Sequence, residues 1–288
     1  MFRFNSNEIY VCCEVGINHN GNLENIFRMM KKTKAIKADF IKFQKRDIKT
    51  QYDEKTLGLI RIGPYGTSIT TKEQKELLEL SKEEFDQINY WSNELKLPWT
   101  ASPWDYTSLE FLLEYDIPFI KIASASITDT NLLRYCAITK KPLVISTGMA
   151  DLTLIRKVVD FVLDEGGNIA YLLHCTSTYP TIDDEVNLLS ISTLQQEFPN
   201  IKIGVSQHDT KVPTTAMAVA LGAKFIERHV TLDRSMYGSD QSASLEFGGM
   251  RKVINDIKLW ERVRGDGKIR MYPSEKPIAQ KLRKTETL

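Results

Sequence analysis

Residues 203–209 read IGVSQHD, an apolar run that passes without a break into Ser206, Gln207, His208 and Asp209. A short β-rich run of this kind predicts a buried strand, and its polar end predicts that the strand opens onto something other than core. One of those end residues is a histidine, in a chain that has only four. The same form recurs along the chain. IYVCCEV (Ile9–Val15), DFIKF (Asp39–Phe43), PWTAS (Pro98–Ser102) and FIKIA (Phe119–Ala123) precede it, followed by LVIST (Leu143–Thr147) and IAYLLHC (Ile169–Cys175). With KIGVS (Lys202–Ser206) itself and KFIERH (Lys224–His229), the candidate strands number eight.

Between the runs lie helical patterns. Ile155, Val158, Val159 and Val162 recur at helical spacing, as do Val253, Ile257 and Trp260 after the eighth run, so each helix carries one apolar face that can pack on a sheet. SKEE at Ser81–Glu84 has the form of a capping box and predicts a helix from about Lys82 to Leu95. Strand and helix alternating eight times predict the α/β class, a single-domain (β/α)8 TIM barrel, because parallel strands need crossovers and the eighth strand can close on the first. The alternative, a doubly wound open sheet, calls for a glycine-rich phosphate loop after the first strand. EVGINHNGN offers Gly16 and Gly21 without that spacing.

Length and composition agree with one such barrel: 288 residues, 42% apolar, 26% charged and a net charge of +1. The balance gives no electrostatic bias toward nucleic acid or an anionic membrane, so any anionic ligand must be held by local groups. Cys12, Cys13, Cys136 and Cys175 have no metal-type spacing and read as free, buried thiols of a reducing compartment. The first residues show no signal-peptide pattern and no run approaches a membrane span, so the expected location is the cytoplasm.

In a barrel of this kind the chemistry sits at the C-terminal ends of the strands. Standing there are Glu14, Lys42 and Gln44, Ser102 and Asp105, Lys121 and Ser124, Ser146 and Thr147, His174, Ser177 and Tyr179, Ser206 and His208, and Glu227 and His229. Lysines inside FIKF and FIKIA are expensive to bury without an anionic partner. Together with the serine hydroxyls they suit a small anion carrying phosphate, carboxylate or both. A structural ion pair with a barrel glutamate, or a Schiff-base lysine, are the alternatives. His208 and His229 end consecutive strands and should be neighbours. With Glu14 and Asp240 as carboxylates they would suit Mn²⁺, Zn²⁺, Fe²⁺ or Co²⁺. His174, deeper in YLLHCT, reads as hydrogen-bonded within the barrel, and His19 as a loop residue facing substrate or solvent. About 25 residues, 45–69, separate the second strand from the next helical pattern, and a stretch this long predicts a functional loop such as a lid over the mouth.

The motifs EVGINHNGN, IKFQKR, SPWD, KIASASITDTNLL, ISTGM, LLHCTSTYPT, GVSQHD and ERHVTLDRSMYGSDQSASLE resemble, in order and over roughly residues 10–270, the sialic acid synthase family. The resemblance implies condensation of phosphoenolpyruvate with an N-acetylated hexose such as N-acetylmannosamine, giving a nonulosonic acid. It implies that Lys42, Ser102, Lys121, Ser124, Ser146 and Ser206 hold phosphoenolpyruvate, with Gln44 beside them. It further implies a divalent metal on His208 and His229, usually manganese, with magnesium or cobalt as alternatives. Glu14 would be a general base or water-orienting group, and Tyr179 and Asp240 would contact the sugar. The same resemblance divides the chain into a synthase barrel at 1–270 and a tail at 271–288, without the antifreeze-like domain that many members carry, and leaves a homodimer as a guess. Ser126 and Ser177 stand where some members carry glutamate and asparagine. Ser177 is retained as a sugar-side residue, and the acceptor's identity is left open.

The rival expectations are a synthase of shorter 3-deoxy sugar acids, for which only Arg46, Arg61 and Arg234 offer loose phosphate contacts, and a metal-dependent hydrolase, for which GINHN has His19 alone. A third is a non-catalytic sugar- or anion-binding barrel.

Overall fold

Each of the eight runs is a strand in the computed structural model, which describes residues 3–5 and 7–284. They are β1 (Tyr10–Glu14), β2 (Phe40–Lys45), β3 (Trp99–Pro103), β4 (Ile120–Ile122), β5 (Pro142–Ser146), β6 (Asn168–Cys175), β7 (Lys202–Gln207) and β8 (Phe225–Thr231). All pair in parallel in the order β3-β2-β1-β8-β7-β6-β5-β4, so the eighth strand does lie against the first, with Glu14 opposite His229. The sheet is a nearly closed (β/α)8 barrel. At the seam between β3 and β4 a side chain bridges the strands: Thr100 Oγ1 donates to the Phe119 carbonyl at 2.7 Å.

One principal helix follows each strand: α1 (Leu23–Ile36), α2 (Lys82–Leu95), α3 (Tyr106–Leu113), α4 (Thr130–Ile138), α5 (Leu152–Asp164), α6 (Ser190–Glu197), α7 (Pro213–Ala220) and α8 (Phe247–Val263). The helix expected after SKEE is α2. Ser81 accepts from the Glu84 amide while the Glu84 side chain accepts from the Ser81 amide, so two orphan donors are satisfied where the helix starts. α5 buries the predicted face, Ile155, Val158, Val159 and Val162, each worth roughly 1.5–3 kcal/mol. The four cysteines are free and buried. Among the described residues no helix is long and apolar enough to cross a membrane. Beyond α8 the described chain to residue 284 is almost wholly exposed, with a short helix at Lys276–Leu282. Tail residues 285–288 lie outside the described residues.

Because successive strand residues point to opposite faces, the barrel interior is filled in layers taken from alternate positions. The floor is aromatic: Tyr10, Phe40, Phe119, Tyr171 and Phe225 surround the Phe4 ring, whose centroid lies 5.0 Å from those of Tyr10 and Tyr171. Above it Cys12, Val144, Leu173 and Gly204 make a thinner layer. Gly204, in the middle of IGVSQ, is required by close approach: a Cβ there would meet the Phe225 carbonyl oxygen at 2.3 Å and Leu173 Cδ2 at 2.6 Å. The next inward positions upward are Glu14, Lys42, Ser102, Lys121, Ser146, Cys175, Ser206 and Glu227, and there the core stops.

Residues 45–69 are built differently from a loop. Asp47 and Asp53 each cap a single-turn helix (Ile48–Gln51 and Glu54–Leu57), and an antiparallel hairpin follows, pairing Ile60–Ile62 with Ser68–Thr70. A capped helix, Thr71–Leu78, then leads to α2. Tyr237, from the segment after β8, accepts from Gln74 at 2.6 Å and donates to the Ile62 carbonyl at 2.9 Å, which ties the insertion to that segment.

Candidate active site

At the C-terminal mouth a cavity of about 200 Å³ is lined by Glu14, Lys42, Gln44, Ser102, Lys121, Ser124, Ser146, Ser177, Tyr179, Ser206, His208 and His229, together with Trp104, Met149, Cys175 and Glu227. Every predicted site residue except Asp240 therefore meets in one place. Asp240 stands just behind, its Oδ2 3.7 Å from His229 Nδ1. Three other polar strand ends do not join it. Asp105 caps α3, Thr147 bonds the Leu173 carbonyl, and His174 bonds the Val186 carbonyl at 2.8 Å. His174 is thus hydrogen-bonded, as expected, but faces away from the barrel interior, because Cys175 takes the inward position beside it. His19 is buried rather than facing solvent. Its Nδ1 accepts from the Gly21 amide at 2.9 Å, and burial pulls its pKa down to about 4, so it is neutral.

The lysine side is an ionic network. Lys42 Nζ lies 2.7 Å from Glu14 Oε2, 3.1 Å from Ser102 Oγ and 3.9 Å from Glu227 Oε1. Lys121 Nζ lies 2.6 Å from Ser146 Oγ and 3.7 Å from Glu227 Oε1. Both lysines therefore do pair with barrel glutamates. KFIERH shows Glu227 at a strand end but not its partners, Lys42 and Lys121, which arrive from strands β2 and β4, far away in sequence. The two carboxyls are driven apart. Burial holds Glu14 above the ordinary carboxylate range, with Glu227 adding to the effect and Lys42 opposing it. Burial also acts to raise Glu227, but Lys121 and Lys42 together outweigh it and hold that group below its usual value. Burial lowers Lys121, whereas Lys42 is held up by Glu14 and Glu227 against its own burial. Ser206 Oγ donates to Glu227 Oε1 at 3.1 Å. Across the cavity the Gly148 amide donates to Ser124 Oγ at 3.0 Å, and a Cβ at Gly148 would meet Ser177 Oγ at 2.2 Å, so this wall is open only because residue 148 has no side chain.

On the histidine side the His208 and His229 ring centroids are 5.3 Å apart, with the Tyr179 ring 4.0 Å from His208 and edge-on to His229. His208 Nδ1 lies 2.7 Å from the Thr176 carbonyl, which assigns a proton to that nitrogen, so that Nε2 carries the lone pair when the ring is neutral. Burial acts to lower the His208 pKa, but the Cys175 thiol, that carbonyl and Glu227 outweigh it and hold it above its ordinary value. Burial, then the positive neighbours His208, Lys42, Arg228 and Lys121, keep the His229 pKa well below its ordinary value, and its Nδ1 has no hydrogen-bond partner.

A model of the NeuB family matches residues 29–269. This chain belongs to the NeuB family. Among NeuB-related proteins it is 37% identical to human N-acetylneuraminate-9-phosphate synthase, over 96% of this chain and 77% of that protein. It is 34% identical to the N,N'-diacetyllegionaminic acid synthase of Legionella pneumophila, over 99% of this chain and 82% of that protein. The barrel resembles that of an N-acetylneuraminic acid synthetase from Leptospira borgpetersenii, solved in complex with citrate, with a TM-score of 0.82 and 29% identity over 97% and 94% of the two chains.

The NeuB barrel's histidine side fits a divalent cation. Two buried imidazoles face each other, one with its lone pair directed by a carbonyl behind it and the other with an orphaned nitrogen. Among the described residues no third His, Cys, Asp or Glu completes a ligand cluster, so water and substrate oxygens would fill the remaining positions. A larger cavity of about 750 Å³ lies in the insertion, lined by Arg46, Lys49, Tyr52, Lys72, Glu76 and Glu79 among others. It contains none of the candidate site residues, and its basic groups are matched by acidic ones.

Proposed function

We propose that this barrel makes a nonulosonic acid by condensing phosphoenolpyruvate with an N-acetylated hexose and water, releasing phosphate. The observation that carries the reading is the division of one cavity, in a NeuB-family chain, between a lysine–serine cradle and a pair of buried imidazoles. Relatives named as synthases of N-acetylneuraminate 9-phosphate and of diacetyllegionaminic acid support the reaction class.

Lys42 and Lys121, with Ser102, Ser146, Ser124 and Ser206, hold the carboxylate and phosphate of phosphoenolpyruvate. Gln44 stands beside them, and Ser177, Tyr179 and Asp240 face the sugar. When a divalent cation, manganese by preference, is held by His208 and His229, the chemistry supplied is polarisation of the acceptor's aldehyde oxygen. C3 of phosphoenolpyruvate forms a bond to the aldehyde carbon, water adds at C2, and the C2–O bond to phosphate breaks. Water gives up both of its protons: one ends on the aldehyde oxygen, and the other leaves on the phosphate as the C2–O bond breaks and C2 becomes a ketone, so a single carboxyl can relay the first of them. Glu14, raised toward neutrality by burial, is suited to that role, whereas Glu227 stays ionised and holds the two lysines.

The test is phosphate release from phosphoenolpyruvate with Mn²⁺ and a panel of N-acetylhexosamines, free, 6-phosphorylated and diacetylated. Release with at least one acceptor, lost in H208A and H229A, is expected. No release with any acceptor, together with Mn²⁺ binding unchanged in both variants, would sink the synthase reading and leave an anion-binding barrel.

A further inference from the structure

The ladder between β7 and β8 stops short of the two histidines. Its last pair is Gln207 with Arg228, and β7 ends at Gln207, so His208 begins the segment that leaves the strand. Main-chain pairing between β7 and β8 therefore does not set His208 relative to His229.

A buried side-chain network spans that gap. Glu227 and His229 face inward, so Arg228 between them projects outward, toward α7, where it is 1% exposed. Its Nη1 lies 3.1 Å from Asp209 Oδ2 and 3.1 Å from Thr215 Oγ1, and its Nη2 donates to the Asp209 carbonyl. The other carboxylate oxygen of Asp209 accepts from the Lys211 amide and the Thr214 hydroxyl, both at 2.8 Å. Thr215 Oγ1 in turn donates to Gln207 Oε1 at 2.8 Å. The residues on both sides of His208 are thus tied, directly or through one hydroxyl, to the residue that precedes His229.

We propose that the Arg228–Asp209 pair is a positioning device that fixes the separation of the two imidazoles, while the Thr176 carbonyl orients the His208 ring. The inference rests on the reading of His208 and His229 as metal ligands. A buried ion pair adds little net stability over apolar side chains of the same size, so filling space outside the barrel does not account for it. The contact that filling space leaves unexplained is the one to the Asp209 main-chain carbonyl. It pins the backbone one residue past His208, and only a planar fork of donors reaches the carboxylate and that carbonyl together. Neither Arg228 nor Asp209 lines the cavity, so neither touches substrate.

The experiment is Mn²⁺ titration followed by electron paramagnetic resonance on the full chain, with circular dichroism melting as the control and the Co²⁺ visible spectrum as a report on ligand geometry. R228M and D209N are expected to stay folded at 25 °C, to bind Mn²⁺ about 10–100-fold more weakly, as loss of an outer support for ligands commonly does, and to change the Co²⁺ spectrum. R228K, which keeps the charge and one contact, should recover part of the affinity. A folded R228M with Mn²⁺ affinity and Co²⁺ spectrum unchanged overturns the proposal. Should R228M fail to fold, D209N, which keeps the shape of the side chain, decides it by the same two readouts. H208A separates the two readings: if it too retains full affinity, the metal assignment has failed, whereas loss in H208A without loss in R228M or D209N condemns the positioning role alone.

Discussion

The floor of the barrel and its mouth are built from the same strands, two to four residues apart, and are made of opposite materials. β1 passes inward from Tyr10 through Cys12 to Glu14, β2 from Phe40 to Lys42, and β8 from Phe225 through Glu227 to His229. At the floor, aromatic rings surround Phe4 and exclude water. At the mouth, two lysines and two glutamates are buried almost as deeply, at 1–3% exposure, and are held by one another. Burial alone therefore does not separate core from site. The floor's side chains gain by leaving water, whereas the mouth's side chains lose by it and persist only because they are paired.

If that division is right, substitutions at the two levels should fail in different currencies. The largest effect is expected for F225A, which should lower stability by about 3–5 kcal/mol in urea unfolding while leaving phosphate release per folded molecule close to that of the parent. An equal loss of activity per folded molecule would break the distinction. K121M should do the reverse. Removing one buried cation from the cradle is expected to lower phosphate release on the order of 10²–10³-fold. Its stability should change little, because the desolvation of Lys121 disappears and Lys42 still faces Glu227 at 3.9 Å. His19 gives the smallest and sharpest comparison, since it sits at the mouth but behaves like the floor. Its pKa falls from an ordinary 6.5 to about 4 on folding, so its contribution is complete above pH 6.5 and is lost as pH falls toward 4. The amount is on the order of 3 kcal/mol. H19Q should flatten stability against pH across that window, as measured by urea midpoints; an unchanged slope would place the acid sensitivity elsewhere.

The contrast also explains what the sequence could reveal. The eight strands were readable because a run such as FIKIA is short, β-rich and abruptly polar at its end, and α2 was readable because its capping box lies within four residues. His208 and His229 could be paired because consecutive strands are neighbours. The hairpin within 45–69 was hidden, since strands of three residues such as Ile60–Ile62 are too short to show alternation. Gln207 and Asp209 carried no signal of their own. Their common partner, Arg228, stands on the next strand and faces away from the cavity, a relation set by register rather than by any local pattern. The lysines' partners were obscured in the same way: an ion pair assembled across three strands is invisible one strand at a time.

Gly204 carries a consequence for how such a sequence can change. With the Phe225 carbonyl 2.3 Å from the place its Cβ would take and Leu173 at 2.6 Å, positions 173, 204 and 225 share one fixed volume, so a side chain added at 204 has to displace both neighbours. A side chain gained on β7 has to be answered by a smaller one on β6 and a shifted backbone on β8, and β8 is the strand that carries Glu227 and His229. Drift in the most anonymous layer of the barrel is thereby coupled to the spacing of its reactive groups, and that coupling restricts the routes by which this lineage can vary its interior.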